Sequence, residues 1–148
     1  MIERQPRAHR RKLGQLFKEA DGRCGYCDGA TWMIGERHDN VRARLGIPKG
    51  VHGSNKLLEA AKATREHLKK RADGGQNVDN LMLSCHACNS RRGDSTPQEH
   101  RTDMQVLVAA GLHPTNRPKH ITDPQHHHKA GLKALKKLRA GQPIGTSS

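Results

Sequence analysis

Four cysteines and one Glu-His dipeptide carry most of the chemistry this chain can do. The cysteines form two pairs, Cys24-Gly-Tyr-Cys27 and Cys85-His-Ala-Cys88. Two intervening residues let both sulfurs of a pair reach one ion, and two such pairs fill a tetrahedral shell. The spacing therefore points to a four-thiolate zinc site. With every ligand supplied by the protein, no position stays open for reaction, so the site reads as structural. Four reduced thiols without metal are the plain alternative. A redox pair is disfavoured because neither motif has a βαβ setting. The pairs stand 57 residues apart, too far for a compact zinc ribbon, so the ion would tie an N-terminal knuckle to a distant part of the chain.

Glu66-His67 lies upstream of Gly74-Gly75 and of the second cysteine pair. An acidic residue beside a histidine means little alone. With Asn80 and Asn89 it forms a constellation, closing in "NLMLSCHACN", that resembles the HNH endonucleases in an HNN variant flanked by zinc knuckles. The resemblance covers roughly residues 22–99, with 34–62 resembling an insertion. It implies a ββα-metal (His-Me finger) core holding one divalent ion over a scissile phosphate. His67 would be the general base and Asn80 the brace that keeps it in line. Glu66 and Asn89 would hold the ion.

An imidazole suits the base role, because its unperturbed pKa of about 6.5 leaves it mostly neutral at cellular pH. Two oxygen ligands leave room for water and phosphate, a shell that Mg²⁺ or Mn²⁺ accepts and zinc does not favour. Three features depart from the family pattern: Glu where Asp or His is usual, Asn as the closing residue, and "LKKR" where a proline often follows the base. Lys69, Lys70 and Arg71 in that stretch, and Arg91 and Arg92 after Asn89, are candidate DNA-phosphate contacts. Adjacent residues of a strand point to opposite faces, so Glu66 and His67 would need a bend or bulge to converge on one phosphate.

The elements that must position these groups follow from pattern. Leu13, Leu16, Phe17 and Ala20 recur at helical spacing, and Asp21-Gly22 ends that helix at the first knuckle. "HDNVRARLGI" predicts a short helix with Asp39 as N-cap and Gly46 just past its end. "NKLLEAAKA" predicts another. A helix-turn-helix is disfavoured because the loop between them is too long. An extended stretch from Ala63 to Leu68, a glycine loop, the strand "NLMLSC" and a helix from His86 to Arg92 follow in order. Thr96-x-x-Glu99 with Pro97 is a capping box that starts a helix running to Ala110. "HPTNRPKHITDPQHHH" reads as irregular linker, with His126, His127 and His128 in solvent. "KAGLKALKKLRAG" reads as a basic amphipathic helix with Leu132, Leu135 and Leu138 on one side. His86 would be a surplus ligand, and His38, His52, His100 and His113 carry no partner spacing.

The bulk composition agrees with a stapled, polyanion-seeking protein. Hydrophobic residues make up 32%, and Phe17, Tyr26 and Trp32 are the only aromatics. Burial alone has difficulty offsetting chain entropy in such a chain, and a metal would help. The net charge of +13 suits nucleic acid above a membrane surface, with a merely soluble basic protein as the bland alternative. So few aromatics disfavour single-strand stacking platforms and favour duplex DNA held by its backbone. The N-terminus is charged with no apolar segment behind it, and no run has transmembrane length, which reads as a reducing cytoplasm, bacterial or phage-infected by analogy.

The expected organisation is α+β: a basic arm over 1–12, a zinc-stapled nuclease domain over 13–111 with flanking helices, and a basic linker and helical tail over 112–148. The tail from Arg117 reads as a DNA-clamping or solubilising arm. The expected activity is metal-dependent hydrolysis of DNA phosphodiesters. One active site per chain implies a homodimer or two visits for a duplex break, and family and size suggest phage packaging or homing. The rival expectation is a zinc-stapled nucleic-acid-binding protein without catalysis, a regulator or packaging accessory.

Overall fold

The structure, a computed structural model, describes residues 13–67, 81–117, 121 and 123–144. The basic arm, Lys69, Lys70, Arg71, Gly74-Gly75 and Asn80 lie outside the described residues.

The described chain is α+β, with six helices and a two-stranded antiparallel sheet. Helix α1 covers 13–19. It closes where Gly22, at φ 71°, returns its N–H to the Phe17 carbonyl at 2.8 Å. The first cysteine knuckle follows. Helix α2 (His38–Leu45) ends as expected on Gly46 in the left-handed conformation. Its start differs from expectation: Arg37 is the N-cap, without a side-chain cap, and Asp39 lies in the first turn. A carboxylate there still favours the positive end of the helix dipole. Helix α3 (Ser54–Ala60) follows.

Strands β1 (Ala63–His67) and β2 (Leu81–Cys85) pair from Ala63↔Cys85 to His67↔Leu81. Helix α4 (His86–Arg91) starts on the next residue, and its N-cap is Cys85, whose sulfur accepts the Cys88 N–H. Helix α5 (Pro97–Ala109) carries the expected capping box in full: Thr96 and Glu99 exchange side-chain and backbone hydrogen bonds, and Pro97 opens the first turn.

The C-terminal helix corrects the sequence reading. Helix α6 runs from Pro124 to Arg139, with Asp123 as its cap, so the three histidines are helical. His127 is buried and bonds the Gly111 carbonyl at 2.8 Å. The helix is no free arm, for it packs on α3 and α5. Ala134 and Leu135 are buried and Leu138 is half-buried against the same core, but Leu132 faces solvent. Gly131 permits this docking, since a Cβ there would stand 2.6 Å from the Leu112 carbonyl oxygen.

Burial divides into two clusters. One joins the four cysteines to Tyr26, Met104, Leu107, Ala134 and Leu135. The other gathers Trp32, Val41, Ile47, Leu57, Leu58 and Ala61. The segment read as an insertion thus builds a core of its own, anchored where the Trp32 indole donates to the Leu58 carbonyl at 2.7 Å.

Candidate metal centre and the adjoining Glu66 cluster

The sulfurs of Cys24, Cys27, Cys85 and Cys88 all lie within 4.8 Å of one another, and all four residues are buried. Local backbone turns bring the first pair there. Cys24 N–H bonds the Gly29 carbonyl, Asp28 N–H bonds the Cys24 carbonyl, and Gly25 N–H reaches across to the Leu83 carbonyl of β2. Gly29 must be glycine, because a Cβ would meet the Thr115 backbone oxygen at 2.5 Å. The second pair sits at the junction of β2 and α4, so a strand end and a helix start aim two sulfurs at the knuckle.

The electrostatics of the quartet favour a bound cation. Hydrogen bonds from Cys27, Cys85 and Cys88 pull the Cys24 thiol down. The bond with Cys24 pushes the Cys27 thiol up, and burial does the same to Cys88. Four buried thiolates this close repel one another, and a divalent metal among them would offset that repulsion. Zinc fits the donor set and the closed geometry.

Two histidines without any local motif converge on Cys88. His113 is fully buried, with Nε2 at 3.1 Å from the Cys88 sulfur and Nδ1 accepting the Thr115 N–H at 3.1 Å. Burial pushes its pKa down to about 3. His100, also fully buried, bonds the Cys88 carbonyl through Nε2 at 2.6 Å and accepts from Arg139 at Nδ1. Both arrive by helix packing, which sequence spacing does not record.

Arg91 and Arg92, expected at the surface, are 9% and 6% exposed. Among the described residues Arg91 has no carboxylate in ion-pair reach. Its Nη1 is buried without a hydrogen-bond partner, and burial pushes its pKa down. Arg92 turns toward β1. It donates to the His67 carbonyl at 2.5 Å and the Ser95 carbonyl at 2.9 Å, and it stands 3.4 Å from Glu66 Oε1.

Asn89 and Arg92 both reach β1 because α4 packs along it, Asn89 at Thr64 and Arg65 and Arg92 at Glu66 and His67. Asn89 Nδ2 donates to Thr64 Oγ1 and the Arg65 carbonyl, both at 3.1 Å. Thr64 and Glu66 share one face of the strand, and Asn89 and Arg92, three apart, follow the same direction along it. Glu66 is 6% exposed, and its Oε2 is buried with no hydrogen-bond partner. Burial raises its carboxyl pKa, while Arg92 pulls it back.

His67 is half-buried, and its side chain belongs to the opposite strand face. The bend expected between the two residues is absent among the described residues: β1 stays paired through His67↔Leu81. The Arg92 guanidinium spans both, touching the side chain of one and the carbonyl of the other.

The exposed face of α6 presents Lys129, Lys133, Lys136 and Lys137. No described helix is long and apolar enough to cross a membrane. Comparison with protein-family models, curated proteins and solved structures finds no match.

Proposed function

We propose that this protein is a zinc-stapled, metal-dependent endonuclease of the HNH type that hydrolyses phosphodiester bonds of duplex DNA. The observation that carries the reading is the unpartnered, buried Oε2 of Glu66 on an antiparallel strand pair, beside a helix that offers Asn89 to the same strand. A buried carboxylate oxygen left without a donor costs on the order of 1–3 kcal/mol or more, a cost that a cation bound there would remove. Asn89 commits its amide nitrogen to β1, so the ligand atom it offers is Oδ1. Oxygen donors of this kind fit Mg²⁺ or Mn²⁺.

On this reading, Glu66 and Asn89 hold the ion, which when bound supplies positive charge to the phosphate oxygens and the departing 3′-oxygen. His67 would take the proton of the attacking water on an unprotonated ring nitrogen. That requires the end of β1 to bend on binding DNA, because the paired strand sets the Glu66 and His67 side chains on opposite faces. Arg92 fixes both the Glu66 carboxylate and the His67 backbone. The staple holds the helix that carries Asn89, since Cys88 is its neighbour. Asn80, which lies outside the described residues, would brace the loop behind the base. The lysines of α6 would lie along backbone phosphates.

A second reading is favoured by one observation. Arg92 already partners Glu66 in a nearly dry setting, which suits a binding protein that uses the scaffold without catalysis.

The deciding experiment is cleavage of supercoiled plasmid with Mg²⁺, Mn²⁺, Zn²⁺ or EDTA, comparing the protein with His67→Ala at equal zinc content. Metal-dependent nicking, lost in a variant that still binds DNA, supports the nuclease. Equal binding by both with no cleavage by either supports the binding protein.

A further inference from the structure

We infer that His113 is the fourth hydrogen-bond donor of the cysteine metal centre, giving its Nε2 proton to the Cys88 sulfur. The inference concerns the zinc staple and stands whether or not the protein cuts DNA.

A divalent ion with four thiolates carries a net charge of about −2, and burying that charge needs donors and cations around it. Three sulfurs receive a backbone N–H. Tyr26 donates to Cys24 at 3.4 Å, Gly29 to Cys27 at 3.4 Å, and Cys88 to Cys85 at 3.3 Å. Cys88 itself lies inside α4, and the N–H of residue 90, which would serve it as Gly29 serves Cys27, is directed along the helix to the residue 86 carbonyl. Its sulfur is the one that the backbone does not serve, and the His113 ring stands against it.

The ring's proton is placed by geometry. Nδ1 accepts a hydrogen bond from the Thr115 N–H, so it carries no proton. The ring proton therefore sits on Nε2, facing sulfur at 3.1 Å. A protonated nitrogen cannot ligate a metal, which makes His113 a donor to a ligand, not a fifth ligand.

Outer-shell donors of this kind typically change metal affinity about 10–100-fold. The test begins with the intact wild-type chain loaded with ¹¹³Cd, examined by NMR. The His113 Nε2 proton should show scalar coupling to cadmium through the hydrogen bond, with Nδ1 unprotonated. An Nδ1–H tautomer, or direct nitrogen–cadmium coupling without an Nε2 proton, overturns the assignment.

The zinc protein then tests the consequence. His113→Phe should release zinc to a chelator at least about tenfold faster, and Cys88 should become the first cysteine alkylated by iodoacetamide. In the Co²⁺ form, the sulfur-to-metal charge-transfer band should move to lower energy, because a thiolate without its donor is easier to oxidise. His113→Gln, which keeps an N–H, should restore part of each effect. Unchanged band energy and unchanged release rate in His113→Phe refute the inference.

Discussion

Glu66 Oε1 and Arg92 Nη1 stand 3.4 Å apart, with both side chains only 8% exposed. In so dry a setting each group depends on the other, because removing one leaves an uncompensated buried charge, at a cost of roughly 3–5 kcal/mol. Arg92→Met should therefore destabilise the zinc-loaded protein by about 3 kcal/mol in urea denaturation, and Glu66→Gln combined with it should recover much of the loss. Equal stability of wild type and Arg92→Met would show that the pair is too well solvated to matter.

The same pair sets a pH dependence. Burial raises the Glu66 carboxyl above its ordinary value of 4.5, against the pull of Arg92. Between 4.5 and the raised value the native state holds more protons than the unfolded chain, so this group's contribution is greatest below 4.5 and declines as pH rises. The stability of wild type relative to Glu66→Gln should fall over that window at saturating zinc. A difference that grows with pH would mean that Arg92 holds the ionised form more firmly than burial opposes it.

Zinc removal should do more than loosen a loop. The quartet sits inside the main apolar cluster, and zinc-site free energies of about 10–16 kcal/mol in small domains rival the whole stability of a domain. Chelation is expected to abolish cooperative thermal unfolding seen by circular dichroism, and Cys85→Ser to do the same. A metal-free protein with an unshifted, cooperative transition would show that the fold does not depend on the staple.

Helix α6 should prove structural. Leu135 is 6% exposed within the cluster that holds the cysteines, and Leu135→Ala should cost about 2–5 kcal/mol. A tail that merely clamps DNA would tolerate this change with no shift in the denaturation midpoint.

The outer face of the same helix should matter for DNA alone. Replacing Lys129, Lys133, Lys136 and Lys137 by Gln should leave stability nearly unchanged. It should also flatten the log–log salt dependence of duplex binding by about 0.9 for each phosphate no longer neutralised. An identical slope in the variant would place DNA on another surface.

Much of the local structure was legible in the sequence. Thr96, Pro97 and Glu99 start α5, and Gly46 ends α2, because caps act between residues a few positions apart. The Cys-x-x-Cys pairs announced a four-sulfur cluster able to hold a metal, because the reach of two neighbouring sulfurs is a local property. The glycine loop signal and the apolar run "NLMLSC" likewise indicated two short strands within residues 63–85.

What only the tertiary structure decided is long-range. His113 and His100 carry no local signature, yet both meet Cys88, because the packing of α5 and the turn after it sets where they arrive. Arg91 and Arg92 read as surface cations, and only the docking of α4 on β1 and α3 buries them, Arg92 against Glu66. The helix of residues 124–139 looked like a separable tail because its apolar stripe is thin. Gly131, which reads as a weakness in an isolated helix, is what lets that stripe reach the core. Sequence patterns record what a residue needs from its neighbours along the chain. The partners of a buried charge or imidazole are chosen by which distant elements close around it.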